Sequence, residues 1–320
     1  MKNILIIHTG GTISMLENKE TGSVGTTEKH PLSELSSEYA AIANIEEEQI
    51  FDLPSPQITP LHMLKLANKI QAEINQYDGI VVTHGTDTLE ETAYFLDLVL
   101  ETNKPVILTG AMRSSNEIGS DALYNFISSL RVAVDDEAHN KGVIVVMNDE
   151  IHTAANVTKT STSNVATFQS PQYGPLGIVT KESIIFHHTI LTRKVYPVSK
   201  ISSKVFLLKA FAGMDGQMIE AIHRARPDGL VIEAFGQGNL PAALMDSLQS
   251  FLQNRIPVVL VSRCYQGNVQ PTYAYLGGGR QLKDLGIIFA NGLSGQKARI
   301  KLLIALEITN NQKQLAKIFV

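Results

Sequence analysis

Asn3-Ile4-Leu5-Ile6-Ile7-His8-Thr9-Gly10-Gly11-Thr12 runs four consecutive apolar residues straight into a polar elbow with two glycines. An alternating pattern would mark a strand with one face in water. An unbroken, mostly β-branched run marks a strand buried on both faces, as in a parallel sheet. The same kind of run returns at residues 80–82, 106–108 and 143–146. Between the runs lie helical patterns: Leu61, Leu64, Ala67 and Ile70 share one face, as do Leu89, Ala93, Leu96 and Leu100. Strands alternating with helices predict an α/β fold, with a large N-terminal doubly wound domain on a mostly parallel sheet.

The pattern dissolves in a polar stretch that contains His187-His188 and Pro197, then resumes with runs at 205–208, 229–232, 257–261 and 287–289. The expected organisation is a first domain over residues 1–184, a linker over 185–204 and a smaller C-terminal α/β domain over 205–320. A chain of 320 residues is long enough for two such cores.

Composition narrows the function. The net charge is −4 and no basic block is present, which argues against a nucleic-acid partner. The apolar run at 4–7 is shorter than the roughly 7–15 residues of a secretory signal, and no stretch is long enough to span a bilayer. The one cysteine, Cys264, allows no internal disulfide and suits a reducing compartment, so the expected location is cytoplasmic. Nine histidines lie scattered without ligand spacing, so no metal site is expected. No cofactor is expected either. There is no P-loop, and Gly236-Gln237-Gly238 begins like a dinucleotide loop that Pro241 then spoils. No GxSxG elbow is present.

In open α/β sheets ligands bind beyond the carboxyl ends of the strands, so the elbows carry the chemistry. They read His8-Thr9-Gly10-Gly11-Thr12, Thr83-His84-Gly85-Thr86-Asp87-Thr88, Thr109-Gly110-Ala111-Met112-Arg113, and Met147-Asn148-Asp149-Glu150 running on to Lys159-Thr160. Hydroxyls beside glycines recur in three of the four. Glycine lets backbone N–H groups approach a ligand, and a following helix N-terminus adds positive potential. A threonine hydroxyl there can act as a nucleophile if a base takes its proton, and Lys159 is the best-placed base or relay. Thr12, Thr86, Asp87 and Lys159 thus form a candidate network. Taken singly, each has a plainer reading: Thr12 a cap, Asp87 or Thr88 an N-cap completed by Glu90 or Glu91, Lys159 a surface charge.

The stretches Ile6-Ile7-His8-Thr9-Gly10-Gly11-Thr12-Ile13 and Thr83-His84-Gly85-Thr86-Asp87-Thr88 resemble the two signatures of bacterial L-asparaginases. Gly110-Ala111-Met112-Arg113, Lys159-Thr160, Tyr173-Gly174-Pro175-Leu176-Gly177, Gly236-Gln237-Gly238-Asn239 and Gln296-Lys297-Ala298-Arg299 extend the resemblance along nearly the whole chain. It implies hydrolysis of L-asparagine to L-aspartate and ammonia through a β-aspartyl-threonine ester, with Thr12 as nucleophile and Thr86, Asp87 and Lys159 as a second cluster. It further implies that Ser55 binds the substrate carboxylate and Asp87 the α-amino group. The amides around Gly11 and Thr86 would hold the oxyanion, Gly85 would line the substrate site between them, and the Ala111 carbonyl would meet the leaving amide. Asn239 resembles a residue that a neighbouring subunit contributes, which implies a homodimer or homotetramer.

Three departures accompany the likeness. The family's lid tyrosine is absent from residues 14–27. Pro271-Thr272-Tyr273-Ala274 stands where periplasmic relatives carry a glutamate near the amino group. Pro56 replaces the glutamine after Ser55. Weaker glutaminase activity is compatible with this pocket. Two other readings compete: a non-catalytic amino-acid sensor, and the asparaginase-like subunit of a tRNA-dependent amidotransferase. The second would ordinarily need a further N-terminal domain and a surface for RNA. Retention of two threonines and a lysine counts against the first.

Overall fold

The computed structural model describes residues 1–26 and 30–319, and it divides into two compact units, Met1–Pro197 and Val198–Val320. In the first, the strands are β1 (Asn3–His8), β2 (Met15–Glu17), β3 (Val24–Thr26), β4 (Asn44–Gln49), β5 (Gly79–Thr83), β6 (Val106–Thr109), β7 (Val143–Met147), β8 (Glu150–Thr153), β9 (Thr158–Lys159), β10 (Phe168–Gln169), β11 (Gly177–Val179) and β12 (Ile184–Phe186). Among the described residues three α-helices accompany them: α1 (Pro60–Glu73), α2 (Leu89–Val99) and α3 (Ala122–Ala133). Eight strands form one sheet in the order β12-β11-β8-β7-β6-β5-β1-β4. The β4-β1-β5-β6-β7 portion is parallel, and β8, β11 and β12 extend it antiparallel.

The four apolar runs read from the sequence are β1, β5, β6 and β7, and β5 to β7 and most of β1 are buried on both faces. Ile4, Ile6, Val81, Ile107, Ile144 and Val146 pack with Phe126 and Leu130 of α3. The residues of opposite parity, among them Leu5, Ile7, Val82, Leu108 and Val145, are equally buried on the other face. Burying a side chain of this size contributes roughly 1.5–3 kcal/mol.

Strand order places the binding crevice. From β1 the chain crosses outward to β4, then returns past β1 to β5 and continues through β6 and β7. The direction of winding therefore reverses between β1 and β5, the topological switch point beyond whose carboxyl ends an open sheet binds its ligand. His8, Thr83 and Thr109 lie in register at the ends of β1, β5 and β6.

Within residues 14–27, the stretch without the family's lid tyrosine, the described residues form a short hairpin: Met15 pairs with Thr26, Leu16 with Gly25 and Glu17 with Val24. Thr27 lies outside the described residues. Residues 187–204 carry no helix or strand. The second unit holds four parallel strands, β13 (Val205–Lys209), β14 (Gly229–Ala234), β15 (Val258–Ser262) and β16 (Ile288–Phe289), hydrogen-bonded in that order. Helices α4 (Gln217–Arg224), α5 (Met245–Gln253), α6 (Gly279–Asp284), α7 (Gly295–Ile308) and α8 (Gln312–Ile318) accompany them. Leu230, Ile232, Val258 and Leu260 share a core with Ile219 of α4 and Leu248 and Phe251 of α5. No helix among the described residues is long and apolar enough to cross a membrane.

Candidate active site

Glycines bring the elbows together. Gly11 has φ 88°, and a Cβ there would lie 2.2 Å from the Cα of Gly85. A Cβ on Gly85 would lie 2.7 Å from the Cβ of Ser55, and one on Gly110 would lie 2.5 Å from the His84 carbonyl oxygen. The elbows after β1, β5 and β6 therefore touch through bare backbone, with Ser55 wedged against them. Only glycine tolerates that approach.

Gly11 leads into a 3-10 turn, Thr12–Ser14, of which Thr12 is the first residue rather than the cap. Thr12 is half-buried, and its hydroxyl has no hydrogen-bond partner among the described residues. The backbone N–H groups of Gly11, Gly85 and Thr86 likewise find no acceptor among them. Free N–H groups gathered at one place suit a carboxylate or an oxyanion.

Thr86 is buried, and its hydroxyl accepts a 2.9 Å hydrogen bond from Lys159 Nζ. The same ammonium donates to Asp87 Oδ1 at 2.7 Å. The Lys159 side chain is 17% exposed and that of Asp87 58%, so the lysine is no solvated surface charge while the carboxylate faces outward. Ser55, also buried, accepts the Asp87 N–H at 3.1 Å, and its own proton has no acceptor among the described residues. That free proton suits an anionic substrate group.

The capping-box reading of Thr88 with Glu90 or Glu91 is overturned. Thr88 occupies the N-cap position of α2 without a side-chain cap bond, and its hydroxyl donates to the Ser55 carbonyl at 2.8 Å. Glu90 Oε1 instead accepts from the Thr158 hydroxyl at 3.2 Å and the Lys159 N–H at 3.4 Å. These bonds anchor the strand that delivers Lys159. Nothing in the spacing of Glu90 announces a partner so far along the chain.

Behind the elbows lies a buried polar layer that sequence reasoning missed. His84 is 1% exposed; its Nδ1 lies 2.8 Å from the Gly85 carbonyl and its Nε2 3.0 Å from the Thr92 hydroxyl. A neutral ring donates to the first and accepts from the second. Burial lowers its pKa to about 4, partly offset by the Gly85 carbonyl, so the ring stays neutral near neutral pH. His30 stacks on His8 with centroids 3.7 Å apart and bonds Ser14 at 2.7 Å, tying the Thr12 turn to β1. Glu47 on β4 is held down to about 2, first by His8 and then by the Ser33 and Tyr39 hydroxyls, against its own burial.

Gly11, Thr12, Ser55, Gly85, Thr86, Asp87, Ala111 and Lys159 thus belong to one unit, most of them on mutually touching elbows. Asn239 belongs to the other. It sits half-buried in the turn after β14, where its Oδ1 accepts the Gly279 N–H at 3.1 Å.

The arrangement matches known proteins along its whole length. Residues 3–192 match the family model described as Asparaginase, N-terminal, and residues 204–319 the Glutaminase/Asparaginase C-terminal domain. The chain belongs to the asparaginase family. It is 36% identical to a probable L-asparaginase of Deinococcus radiodurans, covering 100% of this chain and 97% of that protein. It is also 36% identical to a probable periplasmic L-asparaginase of Haemophilus influenzae, over 100% of this chain and 93% of that one. Among solved structures it is similar to a probable cytoplasmic L-asparaginase from Campylobacter jejuni. The TM-score there is 0.89 and the identity 33%, covering 100% of this chain and 99% of that one.

Proposed function

We propose that this protein is an L-asparaginase that works through a threonine nucleophile. The observation that carries the reading is the meeting of the Gly11-Thr12 and Gly85-Thr86 elbows at the switch point of the sheet, with Lys159 bonded to Thr86. Ser55 takes the substrate's α-carboxylate and Asp87 its α-amino group. The Thr12 oxygen adds to the side-chain amide carbon while the N–H groups of Gly11 and Thr86 receive the oxyanion. The proton released by Thr12 passes through Thr86 and Lys159 to the amide nitrogen. The C–N bond then breaks and ammonia leaves. Water adds to the resulting ester, L-aspartate departs and the Thr12 hydroxyl is restored. Such a pathway divides one difficult displacement into two easier ones.

L-Glutamine is expected to react more weakly, since one methylene in a pocket is worth roughly 1–3 kcal/mol. The working assembly is a homo-oligomer to which Asn239 contributes across subunits, and the compartment is the cytoplasm, which suits a lone, exposed thiol.

A second reading has its own support. Lys159 bonds Thr86 and not Thr12, which favours Thr86 as the activated nucleophile. Ammonia release from L-asparagine by wild type, Thr12→Ala and Thr86→Ala separates the two. Trapping of a β-aspartyl ester on Thr86→Ala, and none on Thr12→Ala, supports Thr12; the reverse assigns the ester to Thr86. Calorimetric binding of asparagine by folded wild type without turnover would sink both and leave a sensor.

A further inference from the structure

The elbow after β6 is built differently from its neighbours. Met112 N–H is accepted by both oxygens of Asp121, at 3.1 and 3.0 Å, and Arg113 N–H by Asp121 Oδ1 at 3.0 Å. Asp121 stands at the N-cap of α3, yet its side chain makes no cap bond to that helix. An acid at the best capping position has been turned wholly to another task. Asn125, one turn on and 1% exposed, completes the bracket. Its Nδ2 donates to the Gly110 carbonyl at 3.1 Å and to Asp121 Oδ2 at 3.0 Å, and its Oδ1 accepts the Asn148 N–H at 2.9 Å.

These bonds enclose one peptide group and leave one atom of it free. Met112 N–H and the Ala111 carbonyl belong to the same trans peptide, so they point in opposite directions. Fastening the N–H to Asp121 turns the carbonyl away from Asp121. A carboxylate accepting from that N–H also polarises the peptide, making its oxygen a stronger acceptor. Ala111 is 1% exposed, and its carbonyl accepts no hydrogen bond from any described residue. The elbow rests on the candidate site, because a Cβ on Gly110 would lie 3.3 Å from Thr86 Cγ2.

We infer that Asp121 and Asn125 are positioning residues that aim and strengthen the Ala111 carbonyl as an acceptor for a leaving group that bears N–H. This rests on the asparaginase reading above. It goes further in assigning a source for the preference for amides. An amide nitrogen gives the carbonyl a hydrogen to hold through bond breaking. The oxygen of an ester brings only lone pairs to that position.

The test is Asp121→Asn, compared with wild type on L-asparagine and on the β-methyl ester of L-aspartate. Loss of the charge and of the fixed aim is expected to lower kcat/KM for asparagine by roughly 10²-fold, a loss that a misplacement of about 1 Å can produce. Ester hydrolysis is expected to stay near wild type. The amide-to-ester ratio is indifferent to the folded fraction, because both rates scale with it equally. Should Asp121→Asn yield no soluble protein, Asp121→Glu keeps the charge, shifts the carboxylate by a methylene, and is read by the same ratio. An unchanged ratio, with both rates falling together or neither falling, overturns the inference. Wild type inert towards both substrates would instead overturn the asparaginase reading itself.

Discussion

Gly11 is where a single side chain decides most. Its φ of 88° and the 2.2 Å that would separate a Cβ there from the Gly85 Cα leave no room for a methyl group. Gly11→Ala is expected to lower stability by about 2–5 kcal/mol, combining backbone strain with overpacking, and to abolish turnover. Thermal denaturation within a degree of wild type would contradict this. His84 sets a second limit at this scale. Its folded pKa, about 4, lies below the ordinary 6.5, so the unfolded chain binds the extra proton first as pH falls. Stability should therefore decline between about pH 6.5 and 4, reversibly, and His84→Asn should show a flatter profile over that window. A wild-type profile level there would rule out the buried neutral ring. Glu47 behaves in the opposite chemical sense. Its depressed pKa contributes stability that is full above about 4.5 and lost as pH falls towards 2, so Glu47→Gln should matter near neutrality and cease to matter in strong acid. The residue types at Gly11, Thr12, Thr86, Asp87 and Lys159 were all legible in sequence. Asp121, Asn125 and Glu90 were not, because each acts through backbone groups or a strand that no local spacing connects to it.

At the scale of elements, the parallel strands were the easiest to read. Burial on both faces forces unbroken apolar runs, and β1, β5, β6 and β7 carry them. The edge strand β4, Asn-Ile-Glu-Glu-Glu-Gln, carries the opposite signal: mostly exposed, it holds three consecutive acids. Charge on an edge guards against pairing with another sheet, which is why hydrophobic periodicity passes over it. The antiparallel extension β8, β11 and β12 escaped for another reason, since strands of three or four residues leave too little pattern. The β2–β3 hairpin next to Thr12 leads to a prediction of its own. Asn116 grips Glu17 at both backbone groups, accepting its N–H at 2.7 Å and donating to its carbonyl at 2.8 Å. Asn116→Ala should release the hairpin, speed proteolytic cleavage near residues 18–23 and reduce kcat/KM for asparagine. Unaltered cleavage would show that the grip is dispensable.

For the whole molecule, co-expression of two variants counts the chains that make a site. If Asn239 serves a neighbour, Thr12→Ala and Asn239→Ala chains are each inactive alone but recover activity when co-expressed, because a mixed assembly contains one site with both native residues. No recovery, with mixed oligomers demonstrated by differential tagging, would confine Asn239 to its local bond with Gly279. The chain by itself determined the α/β class, the apolar strands and the residues able to carry the chemistry. Those depend on side-chain type and on a period of two or 3.6 residues, which any stretch displays without reference to the rest. Only the tertiary structure decided the strand order. That order places the reversal of winding between β1 and β5, brings Gly11 against Gly85, and turns Asp121 from its own helix to the peptide of Ala111. These follow from packing between segments distant in the chain, where backbone approach and hydrogen-bond direction depend on the positions of atoms that local pattern does not encode.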